Sequence, residues 1–140
     1  MSKMIVAAMS AALMMGGSAA LAQSTPSPED AYLYIGWPND GETVRSPFRV
    51  WFGLRGMGVA PKDIDHPNTG HHHLLVDTDL PPNDEPIPSD RNHLHFGAGE
   101  TETQLELPPG RHTLQLLMGD YKHFPHDKPV ASKKITVYVK

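Results

Sequence analysis

The chain has 140 residues, with 12 Lys and Arg against 16 Asp and Glu, a formal charge of −4, nine histidines and no cysteine. A mildly acidic chain with no basic cluster is a poor partner for nucleic acid. The lack of cysteine excludes disulfides, thiolate metal sites and thiol chemistry.

Residues 1–22 carry the marks of a secretory signal peptide. Lys3 gives a positive start, Met4 to Met15 is small and apolar apart from Ser10, and Ala20-Leu21-Ala22 is an A-x-A cleavage site. The apolar run is short for a membrane span. Cleavage near Ala22 is therefore expected, giving a periplasmic or secreted protein with no membrane attachment afterwards. Ser24 to Asp30 is polar and Pro-rich. Residues 23–31 read as a flexible lead-in, and 32–140 as a single domain.

Tyr32 to Trp37 is the first candidate strand, with Leu33, Ile35 and Trp37 on one face. Pro38 to Gly41 is a turn. Phe48 to Leu54 alternates, with Phe48, Val50, Phe52 and Leu54 on one side. Gly56 to Pro61 is at most a short irregular edge, because of its glycines and Pro61. His71 to Asp77 is the next strand. Thr78 to Asn92, with prolines at 81, 82, 86 and 88, is a long loop, and His93 to Phe96 a short strand. Thr101 to Leu107 and Arg111 to Met118 are expected to form a hairpin across Pro108-Pro109-Gly110-Arg111. A polar loop from Gly119 to Ala131 leads to the last strand, Lys133 to Val139. Inward parity assigns Val50, Phe52, Leu114, Leu116, Ile135 and Val137 to the core. No stretch keeps a helical period for three turns. About seven short strands separated by turns predict an all-β fold, an immunoglobulin-like β-sandwich, with a small β-barrel as the alternative.

Five of the nine histidines fall in two runs, Gly70 to Asp77 and His93 to Gly97. Leu94 and Phe96 are the core residues of the second run, so His93 and His95 point the other way. In the first run Leu74 and Val76 look inward, and His71 and His73 face out with Leu75 and Asp77. If the strands are neighbours, His71, His73, His93 and His95 share a face. Directly opposite residues are then about 5 Å apart at Cβ, close enough to share an ion. Neutral imidazole suits Cu(II), Zn(II) and Ni(II). The bland alternative is a solvated polar face. Weaker candidates are His72 at the strand mouth, His112 at the core edge, and His123 and His126 in the loop GDYKHFPHD. His66 lies in a loop and is uninformative. Met57 and Met118 read as packing.

GHHHLLVDTDLP, DEPIPSDRNHLHFGAGETET and LPPGRHTLQLLMGDYKHFPHDKPVASKKITV together resemble the bacterial family catalogued as domain of unknown function 4399. The resemblance covers roughly Ile64 to Val139. It implies a short, exported, His-rich β domain and no particular activity. Lys128-Pro129 departs from the Pro-Pro of that family. HLHFG is also similar to the His-x-His strand of copper-zinc superoxide dismutases, which need further ligands and a disulfide that this chain cannot form.

Three functions follow from these readings. One is a copper or zinc buffer or delivery module, whose partner is a metal ion or another exported protein. Another is a structural or protein-interaction domain without metal, its histidines bonding loops together or sensing pH. The third is a metal-dependent periplasmic enzyme, with Asp77 or Asp90 as base. No Ser nucleophile motif, phosphate loop or carboxylate pair supports that last reading, so no catalytic residue is assigned.

Overall fold

The computed structural model describes residues 24–140; the signal sequence expected over 1–22 lies outside the described residues. The strands are β1 Tyr32–Trp37, β2 Glu42–Val44, β3 Phe48–Arg55, β4 Gly58–Val59, β5 Thr69–Val76, β6 His93–His95, β7 Glu102–Leu105, β8 Gly110–Gly119 and β9 Ile135–Val139. They form two sheets, one of three strands in the order β1-β3-β7 and one of six, β2-β9-β8-β5-β4, with β6 also paired to β5. The expected all-β sandwich is therefore what the chain forms. The sheets do not close into a barrel, and none of the described residues is helical. No helix among them is long and apolar enough to cross a membrane.

The alternation read from the sequence sets the core. Leu33, Phe48, Val50 and Phe52 from the small sheet meet Leu74, Val76, Leu114, Leu116, Met118, Val137 and Val139 from the large one, all buried. Ile35, Trp37, Leu54 and Ile135 are partly buried against this core. A chain with no disulfide relies on this apolar contact, at about 25 cal/mol per Å² removed from water.

The expected hairpin between Thr101–Leu107 and Arg111–Met118 does not form. β7 pairs antiparallel with β3, Phe48 opposite Leu105 and Trp51 opposite Glu102. β8 has both edges taken, by β5 and by β9, so no edge is left for β7. Pro108 and Pro109 have no N–H to give a ladder, and the segment crosses from one sheet to the other. The Leu107 N–H is held instead by Ser46 Oγ, 3.0 Å away. β2, which the sequence reading passed over, runs parallel to β9 just after the Pro38–Gly41 turn. The Glu42 carboxylate fastens that turn, accepting the Asn39 N–H at 2.9 Å and the Trp37 indole N–H at 3.2 Å.

The outer face of the large sheet departs most from expectation. It is covered. The 78–92 loop folds back so that Ile87 packs with Leu75 and Leu117 in a second small core, with Ala131 at its margin. The Ile87 N–H bonds to the His123 carbonyl at 2.7 Å, tying this loop to the 120–131 loop. Both loops thus form a roof over β5 and β8. The lead-in, expected to be flexible, lies along the roof: Asp127 N–H bonds to the Thr25 carbonyl, and Ser27 Oγ–H to the Lys128 carbonyl.

Leu116 and Leu117 are adjacent and almost fully buried on opposite faces of β8. Truncating either to Ala should cost about 2–5 kcal/mol in urea unfolding. In a strand with one solvated face only one of the two would matter, so a cost near zero for Leu117→Ala would remove the roof.

Candidate metal centre

The register of the large sheet decides which histidines meet. β6 pairs with β5 so that His95 sits opposite His73 and His93 opposite Leu75. On the other side of β5, β8 places Leu117 opposite His73 and Gly119 opposite His71. The two His-x-His segments are therefore neighbours. His71, His73 and His95 come together on the outer face, under the roof.

The fourth ring is His123, not His93. β8 ends at Gly119 beside His71, and the chain must then turn over the histidine face. Asp120 makes the turn. Its buried carboxylate accepts the N–H groups of Lys122 at 2.8 Å and Phe124 at 2.9 Å. His123, between them, has a φ of 70°, a left-handed conformation that a non-glycine residue adopts at a cost. The result lays its ring 4.8 Å from His95, 5.1 Å from His71 and 6.2 Å from His73, centre to centre. The other pairs are 4.9 Å for His71–His73, 5.0 Å for His71–His95 and 5.0 Å for His73–His95. His93 lies off to the side, its Nδ1 bonded to Asp90 at 2.9 Å.

The ring nitrogens converge. His71 Nε2 is 3.1 Å from His73 Nε2 and 3.2 Å from His95 Nε2. One nitrogen from each of His71, His95 and His123 lies within 4.8 Å of the others. Two glycines make room. A Cβ on Gly119 would stand 2.7 Å from His73 Nε2, and one on Gly97 would stand 2.3 Å from His95 Cε1. His71 and His73 are fully buried, while His95 and His123 are half-buried and give the cluster an opening to solvent.

Burial disfavours protonation of His71 and His73. It is the main reason the His71 pKa falls to about 4 and that of His73 to about 2, with the neighbouring imidazoles adding to the effect. His95 is also lowered, by burial first and then by His123 and Lys62. Asp120 acts the other way on His71, and Glu100 on His95, so two carboxylates stand near the cluster. The Nδ1 atoms of His71 and His73 have no hydrogen-bond partner.

The remaining histidines have other work. His72 faces the sandwich core, 5.0 Å from the Phe52 ring, with Nδ1 bonded to the Glu100 carbonyl. Burial lowers its pKa to about 4 against that bond. His112 lies between Asp77 and the Pro108 carbonyl, at 2.7 and 2.8 Å. Burial opposes its charge most, but the Asp77 bond, the carbonyl and the Asp77 charge together outweigh it, and its pKa is raised. His126 is buried with Nε2 against the Thr69 carbonyl. Asp77 and Asp90 are occupied by His112 and His93. Asp77 follows the opposite end of β5 from His71, which takes it away from the cluster.

Residues 50–140 match the family described as Domain of unknown function (DUF4399). The chain belongs to the DUF4399 family. None of the curated proteins matches it. Among solved structures, the endo-beta-1,4-mannanase from Thermotoga petrophila is similar at 20% identity and a TM-score of 0.45, over 79% of this chain and 20% of that one. The chain spans a fifth of the mannanase's length, and a likeness so slight does not bear on function.

The unfolded chain protonates each imidazole near pH 6.5, whereas folded His71 and His72 resist until about pH 4 and His73 until about pH 2. Between 6.5 and 4 the unfolded state binds more protons, so stability falls as the pH falls. Chelator-treated protein should show a matching drop in its urea midpoint from pH 6.5 to 4.5. A flat profile would mean that the rings reach solvent.

Proposed function

We propose that this DUF4399 protein is an exported module that binds a transition metal ion, copper or zinc, as a buffer or delivery protein. The ion sits among His71, His95 and His123, with His73 on the buried side. The observation that carries the reading is the convergence of ring nitrogens on His71 Nε2, at 3.1 and 3.2 Å. A neutral imidazole nitrogen either donates or accepts, so His71 Nε2 has no good hydrogen bond to offer both neighbours. A cation satisfies all the lone pairs at once. Spacings of this size also match the nitrogen–nitrogen edge of about 3.3 Å around an ion held at about 2.0–2.1 Å. Packing alone is a poor account, because it sets the Nε2 lone pairs of buried rings against one another. Export follows from the signal-like start, and the intact secreted protein should begin at Gln23.

Thermal melts of metal-free, untagged protein test the site. An ion that binds only the folded state adds about 2.7 kcal/mol at a hundredfold excess over Kd. For a domain of this size the midpoint should rise by roughly 8–15 °C with Zn(II) or Cu(II). His95→Ala with His123→Ala should abolish the rise. His93→Ala and His66→Ala should keep it, since His93 is bonded to Asp90 and His66 is exposed. If no metal moves the midpoint, the interaction-domain reading replaces this one.

A further inference from the structure

We infer that the four imidazoles form a closed, tetrahedral cage that selects zinc(II) over copper(II), with His73 as the fourth ligand. The inference rests on the metal-binding reading and adds the coordination number and the identity of the ion.

The six ring-to-ring distances carry it. An ion bonded at about 2.0–2.1 Å lies about 3.2 Å from an imidazole centre, so a tetrahedral set has all six centre distances at about 5.2 Å. A square-planar set has four at about 4.5 Å and two, the diagonals, at about 6.4 Å. Here five distances fall between 4.8 and 5.1 Å, and the sixth, His73–His123, is 6.2 Å. A square would need a second long pair opposite the first. That pair is His71–His95, and it is 5.0 Å. Among the described residues, only the set His71, His95 and His123 brings one nitrogen from each ring within 4.8 Å of the others; His73 joins them as the fourth ligand when the loop carries His123 inward across the long edge.

The scaffold holds this shape. His71 and His73 are fixed on β5, and His95 on β6 through the pairing opposite His73. The backbone at Gly119 and Gly97 lies against the His73 and His95 rings, at the Cβ approaches given above. Copper(II) outcompetes zinc(II) at flexible nitrogen sites and prefers a tetragonal arrangement, whereas zinc(II) has no preference from its d electrons. With three of the four rings fixed on paired strands, a tetrahedral set penalises copper(II) and spares zinc(II). The donor set contains no carboxylate, which also disfavours magnesium, calcium and manganese.

Cobalt(II) reports the geometry directly. The cobalt-loaded, untagged protein should show the intense visible absorption of a tetrahedral site, unchanged by excess azide, and one equivalent of zinc should bleach it. Against an unstructured oligohistidine peptide, the zinc-to-copper(II) affinity ratio should be at least about tenfold higher, a shift equal to about 1.4 kcal/mol. His123→Gln opens a position, so its cobalt spectrum should change when azide is added. His73→Gln should do the same; if that buried variant does not fold, His123→Gln and the wild-type spectrum decide. Weak five- or six-coordinate absorption, azide binding to the wild type, or an unchanged affinity ratio overturns the closed zinc cage and leaves the metal-binding reading standing. Failure of cobalt, zinc and copper all to bind overturns both.

Discussion

β5 is buried on both faces, and the rest of the molecule is arranged around that constraint. Its even positions, His72, Leu74 and Val76, enter the sandwich core; its odd positions, His71, His73 and Leu75, enter the space under the roof. A one-residue slip would exchange the two sets. β8 resists the slip from one side with six paired residues, and β6 from the other with three. The small core of Leu75, Leu117 and Ile87 then anchors the two long loops. Those loops convert an ordinary outer sheet face into a site with walls.

Much of this was legible in the sequence, because strand alternation is strict. The strand faces at Leu33, Val50, Phe52, Leu114, Leu116 and Val137 follow from period two alone. The pairing of the two His-x-His segments was an inference from parity. It became a contact because the 78–92 loop is long enough to bring β6 back beside β5. What parity could not show was the roof. Ile87 sits in a Pro-rich stretch with no period to mark it, and nothing local says that a loop residue will be buried. The hairpin error has a similar source. A Pro-Pro-Gly turn shows that the chain bends, but which strands pair depends on which edges are free.

His123 illustrates the limit most sharply. Read locally, it is one imidazole in a polar loop, whereas His93 belongs to a regular pattern. The register reverses the two. Opposite Leu75, His93 is carried past the cluster and finds Asp90; beyond Gly119, the loop has to cross His71. Two signals could have pointed there. Asp120 stands three residues before His123, in the position of a side chain that caps a turn. Gly119 and Gly97 each adjoin the pattern where a side chain would strike an imidazole. Such glycines stand out only once the strands are paired.

The cluster also makes sense of a cost that the fold would otherwise carry for nothing. Leucines at 71 and 73 would suit a strand buried on both faces, and would leave no ring nitrogen unpartnered. Imidazoles there lose their hydration and resist protonation, and the loop above them adopts a left-handed backbone at His123. Each of these features costs the fold stability, and under the proposed function the converging Nε2 atoms are what that cost would serve. Local rules broken in one place, on a scaffold that obeys them elsewhere, are expected at functional sites. The sandwich core is regular enough to hold such a site without disulfides. The half-buried His95 and His123 leave the path by which an ion would enter and depart.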